Sequence, residues 1–385
     1  MHVAFICDEY PPGVHGGVGS LTQTIARRVV EEGHRATVIG TYRSTHDLAE
    51  LDQGVQVIRL TSRGRVRGVR ALADQRRLWR RIAQVHAADP IDVLEGPEPS
   101  LWAAPTRLGF PTVVRMNGGH RFFAEAEGRP TAPARSWVEA RSIRRADDLV
   151  AVSEHTARRT AALLELGDRP ITVIPNPVDV ASFHPGSRPM VPGTVVFVGT
   201  ICEKKGVRQL VEGFPEVARR VPHARLLVVG RDQLDRVTGE SFTVALRRSV
   251  PAELTDQVVF VGPVEHDRVA ELIAEAEVCA LPSHMEALPV AWIEVLASGK
   301  ALVASTSGPG PEVVEHGVSG LLVDPHDPAA IADALVAVLT DADRRDRLGA
   351  AARQRAVERF SIDELIHVNL DHYRDVHEGW AQRRG

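Results

Sequence analysis

Cysteine is scarce: Cys7, Cys202 and Cys279 are the only three, far apart and never in a C-x-x-C pair. That excludes a disulfide framework and a thiolate zinc site and fits a reducing, cytoplasmic setting. Long apolar runs are missing too, since none approaches the ~20 residues that span a bilayer. Charge of one sign is not in excess. The 46 cationic and 50 anionic residues leave a formal charge of -4, which argues against a dedicated nucleic-acid binder. Lysine is the rarest charged residue, limited to Lys204, Lys205 and Lys300. Arginine supplies the rest, a skew of GC-rich coding that makes an adjacent lysine pair stand out.

What is present is the composition of an ordinary globular protein, with 44% hydrophobic and 25% charged residues over 385 positions, enough for two cores. Residues 3–7 form a short apolar run ended by Asp8, Glu9 and Pro11, a first buried strand rather than a signal peptide. Strand-like runs follow at 36–40, 55–60, 92–95, 112–116, 149–152 and 171–174. Helical spacing separates them, as in Val18, Leu21, Ile25 and Val29 with Gly33 as the stop. Strands alternating with helices predict βαβ units and a parallel sheet. Five prolines from Pro175 to Pro192 and little periodicity mark 176–193 as a linker. The alternation then restarts, with strands at 194–198, 225–229, 258–261, 278–281, 302–304 and 321–323. Ile362, Leu365, Ile366, Leu370 and Tyr373 form a tail helix expected to pack back onto the first domain. The expected division is 1–175 plus 360–385, a linker at 176–193, and 194–359. Two Rossmann-like doubly wound domains facing each other would bind ligands outside the carboxyl ends of their strands. A dinucleotide dehydrogenase is disfavoured, because the loop from Pro11 to Gly19 does not match G-x-G-x-x-G.

The densest chemical signal runs from Pro282 to Glu294. Pro289 suits the first position of a helix, where the amides of Leu288, Pro289's neighbour Val290 and Ala291 would point out of the strand end and cradle an anion. Glu294 falls one turn later on the same face, placed to take two sugar hydroxyls. Glu286 in the preceding loop would grip a second polyhydroxy group. An acidic residue answering the helix dipole plus a solvated glutamate would give the same spacing. In the first domain, Gly16 and Gly17 open the first helix and permit close approach of amides to a phosphate; a tight turn would use the same glycines. Glu95 and Glu98 form an acidic pair that reads as acceptor-facing or, in preference, as a solvated turn.

These residues resemble a known family. Glu286 and Glu294, seven residues apart, with Val295-Leu296-Ala297-Ser298-Gly299-Lys300 after them, look like the Glu-x7-Glu signature of the retaining family 4 glycosyltransferases with the GT-B fold. Val173-Ile174-Pro175-Asn176-Pro177-Val178-Asp179 resembles that family's interdomain segment, and Val196-Phe197-Val198-Gly199 with Lys205-Gly206 its first C-domain strand and loop. The resemblance implies that Glu294 binds the ribose of a nucleotide sugar, Glu286 the donor sugar and Lys205 the diphosphate. It also implies an arginine directly after the strand glycine, where this chain has Thr200, and a histidine after residues 112–116, where Asn117 stands and His120 follows.

The function expected is transfer of a sugar from a UDP- or GDP-sugar to a hydroxyl acceptor, small-molecule, glycan or lipid-linked, with retention. Lys205, Glu286, His120 and Asn117 would be catalytic; Gly16, Gly17, Leu288, Pro289, Val290 and Glu294 would bind donor; Glu95, Glu98 and His120 would face the acceptor. No cofactor, metal or nucleic acid is expected. An epimerase or hydrolase of the nucleotide sugar, or a silent binding module suggested by Thr200, are the alternatives. Eight arginines between positions 63 and 81 (Arg63, Arg65, Arg67, Arg70, Arg76, Arg77, Arg80 and Arg81), interleaved with Trp79, fit a helix lying on an anionic membrane. A core-facing helix with a solvated arginine face is the favoured reading of that span.

Overall fold

β-branched runs too short for helices and apolar on both faces become the strands of two parallel sheets. The computed structural model describes all residues except 14–15, 44–45, 63–66, 187, 236–237 and 385, and only the backbone of 67–69. The chain divides into two units, Met1–Pro177 with Ile362–Gly385, and Val178–Ser361.

The first unit contains β1 (His2–Ile6), β2 (Arg35–Tyr42), β3 (Leu48–Asp52), β4 (Val55–Thr61), β5 (Val93–Pro97), β6 (Thr112–Met116), β7 (Asp148–Ala151) and β8 (Thr172–Val173). Their order is β3-β4-β2-β1-β5-β6-β7-β8. Only the β3–β4 pair is antiparallel. Successive side chains of β1 serve opposite faces: Val3 and Phe5 enter one core, Ala4 and Ile6 the other.

The tail helix, Ile362–Gln382, belongs to this first unit. Ile366, Leu370 and Tyr373 lie with Phe5, Ile25 and Val93 in one core. Tyr373 Oη donates to Glu95 Oε2 at 2.8 Å. The Arg115 guanidinium donates to both Glu95 oxygens, at 2.7 and 3.0 Å, and to Asn369 Oδ1 at 2.5 Å. All four side chains are buried, so sheet, ion pair and tail helix are satisfied together or not at all.

The second unit contains β9 (Thr194–Val198), β10 (Arg225–Val229), β11 (Val258–Gly262), β12 (Val278–Leu281), β13 (Leu302–Ser305) and β14 (Leu321–Val323), in the order β11-β10-β9-β12-β13-β14. Residues 178–193, expected as linker, are part of this unit. Phe183 is buried, Val191 N donates to Glu275 O at 2.9 Å, and Arg353 donates to the carbonyls of Val180 and Phe183. The prolines here direct an irregular path across a surface rather than a free tether. Among the described residues no helix is long and apolar enough to cross a membrane.

Candidate active site

In the second unit two strand ends bring their loops together. After β9 the chain passes Gly199, Thr200 and a single 3-10 turn, Glu203–Lys205, before the helix Val207–Arg220. Gly206 closes that turn at φ +66°, and a Cβ there would stand 1.9 Å from Pro282 O. Glycine is therefore required twice over, by backbone conformation and by contact with the loop after β12. His284 N donates to Lys204 O at 2.8 Å, a second tie between the loops. The Lys205 ammonium forms an ion pair with the Glu286 carboxylate. Two residues expected to hold different parts of one ligand thus meet across these loops, 81 positions apart in sequence. Of the adjacent lysines, Lys204 contributes its carbonyl to the loop tie and Lys205 its charge to Glu286.

The helix Val290–Ala297 begins one residue later than expected, with Pro289 as its N-cap at ψ 96°. Proline's fixed φ suits the cap as well as the first turn. The amides of Val290 and Ala291 precede the first intrahelical bonds and face the start of the helix axis. Leu288 is buried beside them. Glu294 is 9% exposed, and no hydrogen-bond donor reaches its carboxylate among the described residues. Burial alone pushes its pKa up to about 7. The nearest positive candidate is His266, whose Nε2 stands 3.9 Å from Glu294 Oε1. A carboxylate taken out of water without donors is destabilised until something supplies them, and ligand hydroxyls are suited to do so. His284 packs on His326 with ring centroids 4.1 Å apart, and its pKa is lowered by burial and by that neighbour.

Thr200 follows Gly199 after β9 and carries no charge. The neighbouring strand, β10, is followed by Gly230 and Arg231. Gly230 approaches Gly199 so closely that a Cβ would lie 1.8 Å from Gly199 O, and Ile201 N donates to Arg231 O at 2.8 Å. Sequence reasoning overlooked Arg231. Its signal is the second strand-glycine followed by a cation, at the end of the neighbouring strand.

In the first unit the expected residues are differently employed. Gly16 caps the helix Gly17–Glu31, but the Glu9 carboxylate already accepts from Gly19 N at 2.9 Å and would lie 3.3 Å from a Cβ on Gly16. An anion thus sits at that helix start from within the chain. A phosphate at Gly16 and Gly17 would meet the Glu9 carboxylate as well as the amides of this helix start. Glu95 is corrected: both its oxygens are bound by Arg115, and it fastens the tail helix. Glu98 is buried and accepts from Asn117 N at 2.6 Å, so it shapes the loop after β6 instead of facing an acceptor. Burial, with Glu139 nearby, raises its pKa to about 7. A Cβ on Gly119 would lie 1.9 Å from Glu139 Oε1, so two carboxylates brace this loop from beneath.

Asn117 Nδ2 donates to Arg115 O at 3.1 Å. His120 opens the helix His120–Ala126, and its Nε2 accepts from Ala132 N at 2.9 Å. Burial together with Arg129 and Arg135 lowers its pKa, favouring the neutral ring. The two residues are neighbours on one loop, with the ring tied to the chain that follows.

Residues 15–182 match the family described as "Glycosyltransferase Family 4", and residues 183–355 the one described as "Glycosyl transferases group 1". A D-inositol 3-phosphate glycosyltransferase of Xylanimonas cellulosilytica is 32% identical over 290 residues, 71% of this chain and 68% of its own. A GDP-mannose-dependent alpha-(1-6)-phosphatidylinositol monomannoside mannosyltransferase of Mycobacterium tuberculosis is 28% identical over 97% of this chain and 98% of its own. In fold, the chain is similar to sucrose-phosphate synthase from Thermosynechococcus elongatus, with a TM-score of 0.83 at 20% identity, covering 98% of this chain and 99% of that one. The paired Glu286 and Glu294, the Lys205 turn and these matches over both halves lead to one assignment: the chain is a glycosyltransferase of family 4, with the GT-B fold.

Proposed function

We propose that the protein transfers a hexosyl group, with retention and without metal or cofactor, from a nucleoside-diphosphate sugar to a hydroxyl acceptor. The observation that carries this reading is the buried Glu294 carboxylate, left without donors on a helix whose first amides, those of Val290 and Ala291, make no intrahelical bond. A ribose diol supplies two donors to such a group, and a diphosphate suits the amides of Val290 and Ala291. Lys205 then turns from Glu286 toward the diphosphate, and Glu286 accepts from sugar hydroxyls. In the reaction the bond from the anomeric carbon to the phosphate oxygen breaks. The bond to the acceptor oxygen forms on the same face, and the acceptor proton passes to the departing phosphate. Negative charge grows on the diphosphate, where a fixed ammonium and helix-start amides stabilise it.

GDP-mannose is the first donor to try and an inositol-bearing compound the first acceptor, because relatives carry those names. The test is a melting-shift panel of UDP, GDP and their sugars, followed by transfer assays with the product anomer read by NMR. One nucleotide should stabilise the protein in proportion to its excess over Kd, EDTA should leave transfer intact, and the anomer should be retained. Stabilisation by none, donor consumption without acceptor, or an inverted product would each sink a part of this reading.

A further inference from the structure

In the first unit, aromatic and cationic side chains collect on a surface with no catalytic assignment. Trp137 projects from the helix Pro133–Arg145 and is 54% exposed. Its ring meets that of Trp102 edge-on at 6.1 Å, and the Arg141 guanidinium lies 5.4 Å over it. Arg141 Nε donates to Trp102 O at 2.8 Å. Along the same loop, Arg145 donates to Ala104 O and Pro105 O at 2.6 and 3.0 Å. Arg384 donates to Leu108 O at 2.8 Å and stacks 4.3 Å over Trp380.

Between Arg145, Arg384 and Trp380 opens a cavity of about 270 Å³ floored by Leu101, Leu108 and Phe110. Among the described residues, Arg141, Arg145 and Arg384 have no carboxylate within ion-pair distance. The one carboxylate of the helix, Glu139, is turned inward to Arg121 N. The one lining the cavity, Asp147, accepts from Thr112 N and Oγ1, both at 2.8 Å. The basic helix expected from the sequence is less suited to a membrane. Positions 63–66 lie outside the described residues, Trp79 is buried in the core with Leu78 and Ile82, and Arg77 is bound to Asp47.

We propose that the Trp102–Trp137–Trp380 face docks on the surface of an anionic phospholipid bilayer. Tryptophan rings rest where one side is apolar and the other wet. Unpaired arginines among them match lipid phosphates, and the cavity between Arg145 and Arg384 receives a headgroup over its apolar floor. A free anion would use the arginines but leave Trp137 exposed with nothing to cover it.

The test is flotation of the full chain with vesicles of phosphatidylcholine alone and of phosphatidylcholine with phosphatidylglycerol. Binding is expected to the anionic vesicles only, reversed by high salt, with a blue shift of tryptophan emission. Arg141→Glu should weaken it about fivefold or more, since each basic residue near such a surface contributes a factor of that order. Trp137→Ser should reduce both binding and blue shift at unchanged melting temperature. Arg80→Glu, on the other basic helix, should change nothing. No binding to anionic vesicles, equal binding to neutral ones, or sensitivity to Arg80→Glu but not to Arg141→Glu or Trp137→Ser would overturn the proposal. So would full competition by inorganic phosphate at an ionic strength matched with chloride.

Discussion

Single side chains here do their work through what they lack. Glu294 lacks donors, and its raised pKa gives a sign that can be measured. A ribose diol binds the ionised form, so binding must release a proton wherever the empty site holds one. Nucleotide affinity should therefore rise as pH goes from 6 to 8, and Glu294→Gln should flatten that part of the profile. The same variant should bind nucleotide more weakly by about 1.5 to 3 kcal/mol, the range for hydrogen bonds to a charged group. Isothermal titration across the pH series decides it, and an unaltered slope would remove Glu294 from the ribose. Glu98 obeys the same linkage on stability. Its folded pKa of about 7 lies above the ordinary 4.5, so the folded state binds more protons between those values and loses stability as pH rises through them. The stability of the native protein relative to Glu98→Gln should fall across that window and level off above it, read from melting curves. Lys205→Ala removes a fixed charge aimed at the leaving group and should lower kcat about a hundred- to thousandfold, whereas Lys204→Ala, which leaves the Lys204 carbonyl in place, should do little. Arg231→Ala tests whether the neighbouring strand supplies the cation missing at Thr200. A tenfold or greater loss in kcat, partly restored by Thr200→Arg, is expected.

At the scale of elements, the loops after β9 and β12 meet with no room for a side chain between them. Gly206→Ala would place a Cβ against Pro282 O in a left-handed conformation, and should both lower the melting temperature and cut kcat by displacing Lys205. A variant with normal melting and activity would show that the two loops tolerate separation. This is also where legibility from sequence changed. The parallel strands were readable because β-branched runs buried on both faces resemble nothing else of that length. β3 was not, since Leu48–Asp52 is an edge strand with mostly exposed residues and only one sheet neighbour. The helices His120–Ala126 and Pro133–Arg145 were obscured by Pro130 and Pro133 and by arginines in place of an apolar stripe. Glu286, Glu294 and Lys205 were legible as a spacing, but their meeting was not, because an ion pair spanning 81 positions leaves no trace in local pattern. Glu95 and Glu98, read as a solvated turn in preference to an acceptor-facing pair, are buried instead, and for the same reason this was hidden: Arg115 and Asn117, which claim them, are on the next strand and its loop.

For the molecule as a whole, the tail helix is the last structural part of the first unit to appear in the chain. Tyr373→Phe would leave the buried Glu95–Arg115 pair one donor short and should destabilise by about 1 to 3 kcal/mol, seen as a loss in chemical denaturation. Removing everything after Ser361 should expose Phe5, Ile25 and Val93 and make the first unit aggregate; a truncated chain that stays monomeric with unchanged melting would refute the packing. The second unit, by contrast, is continuous in sequence, and its ends are joined to each other: Val178 pairs in parallel with Ser361, and Val178 N donates to Phe360 O at 2.7 Å. On a ribosome this imposes an order. The first unit emerges early but cannot close, and its open groove must wait while the residues of the second unit are made, on the order of ten seconds or more at ordinary elongation rates. The second unit completes itself in that interval, and only then does translation deliver the helix that seals the domain begun first.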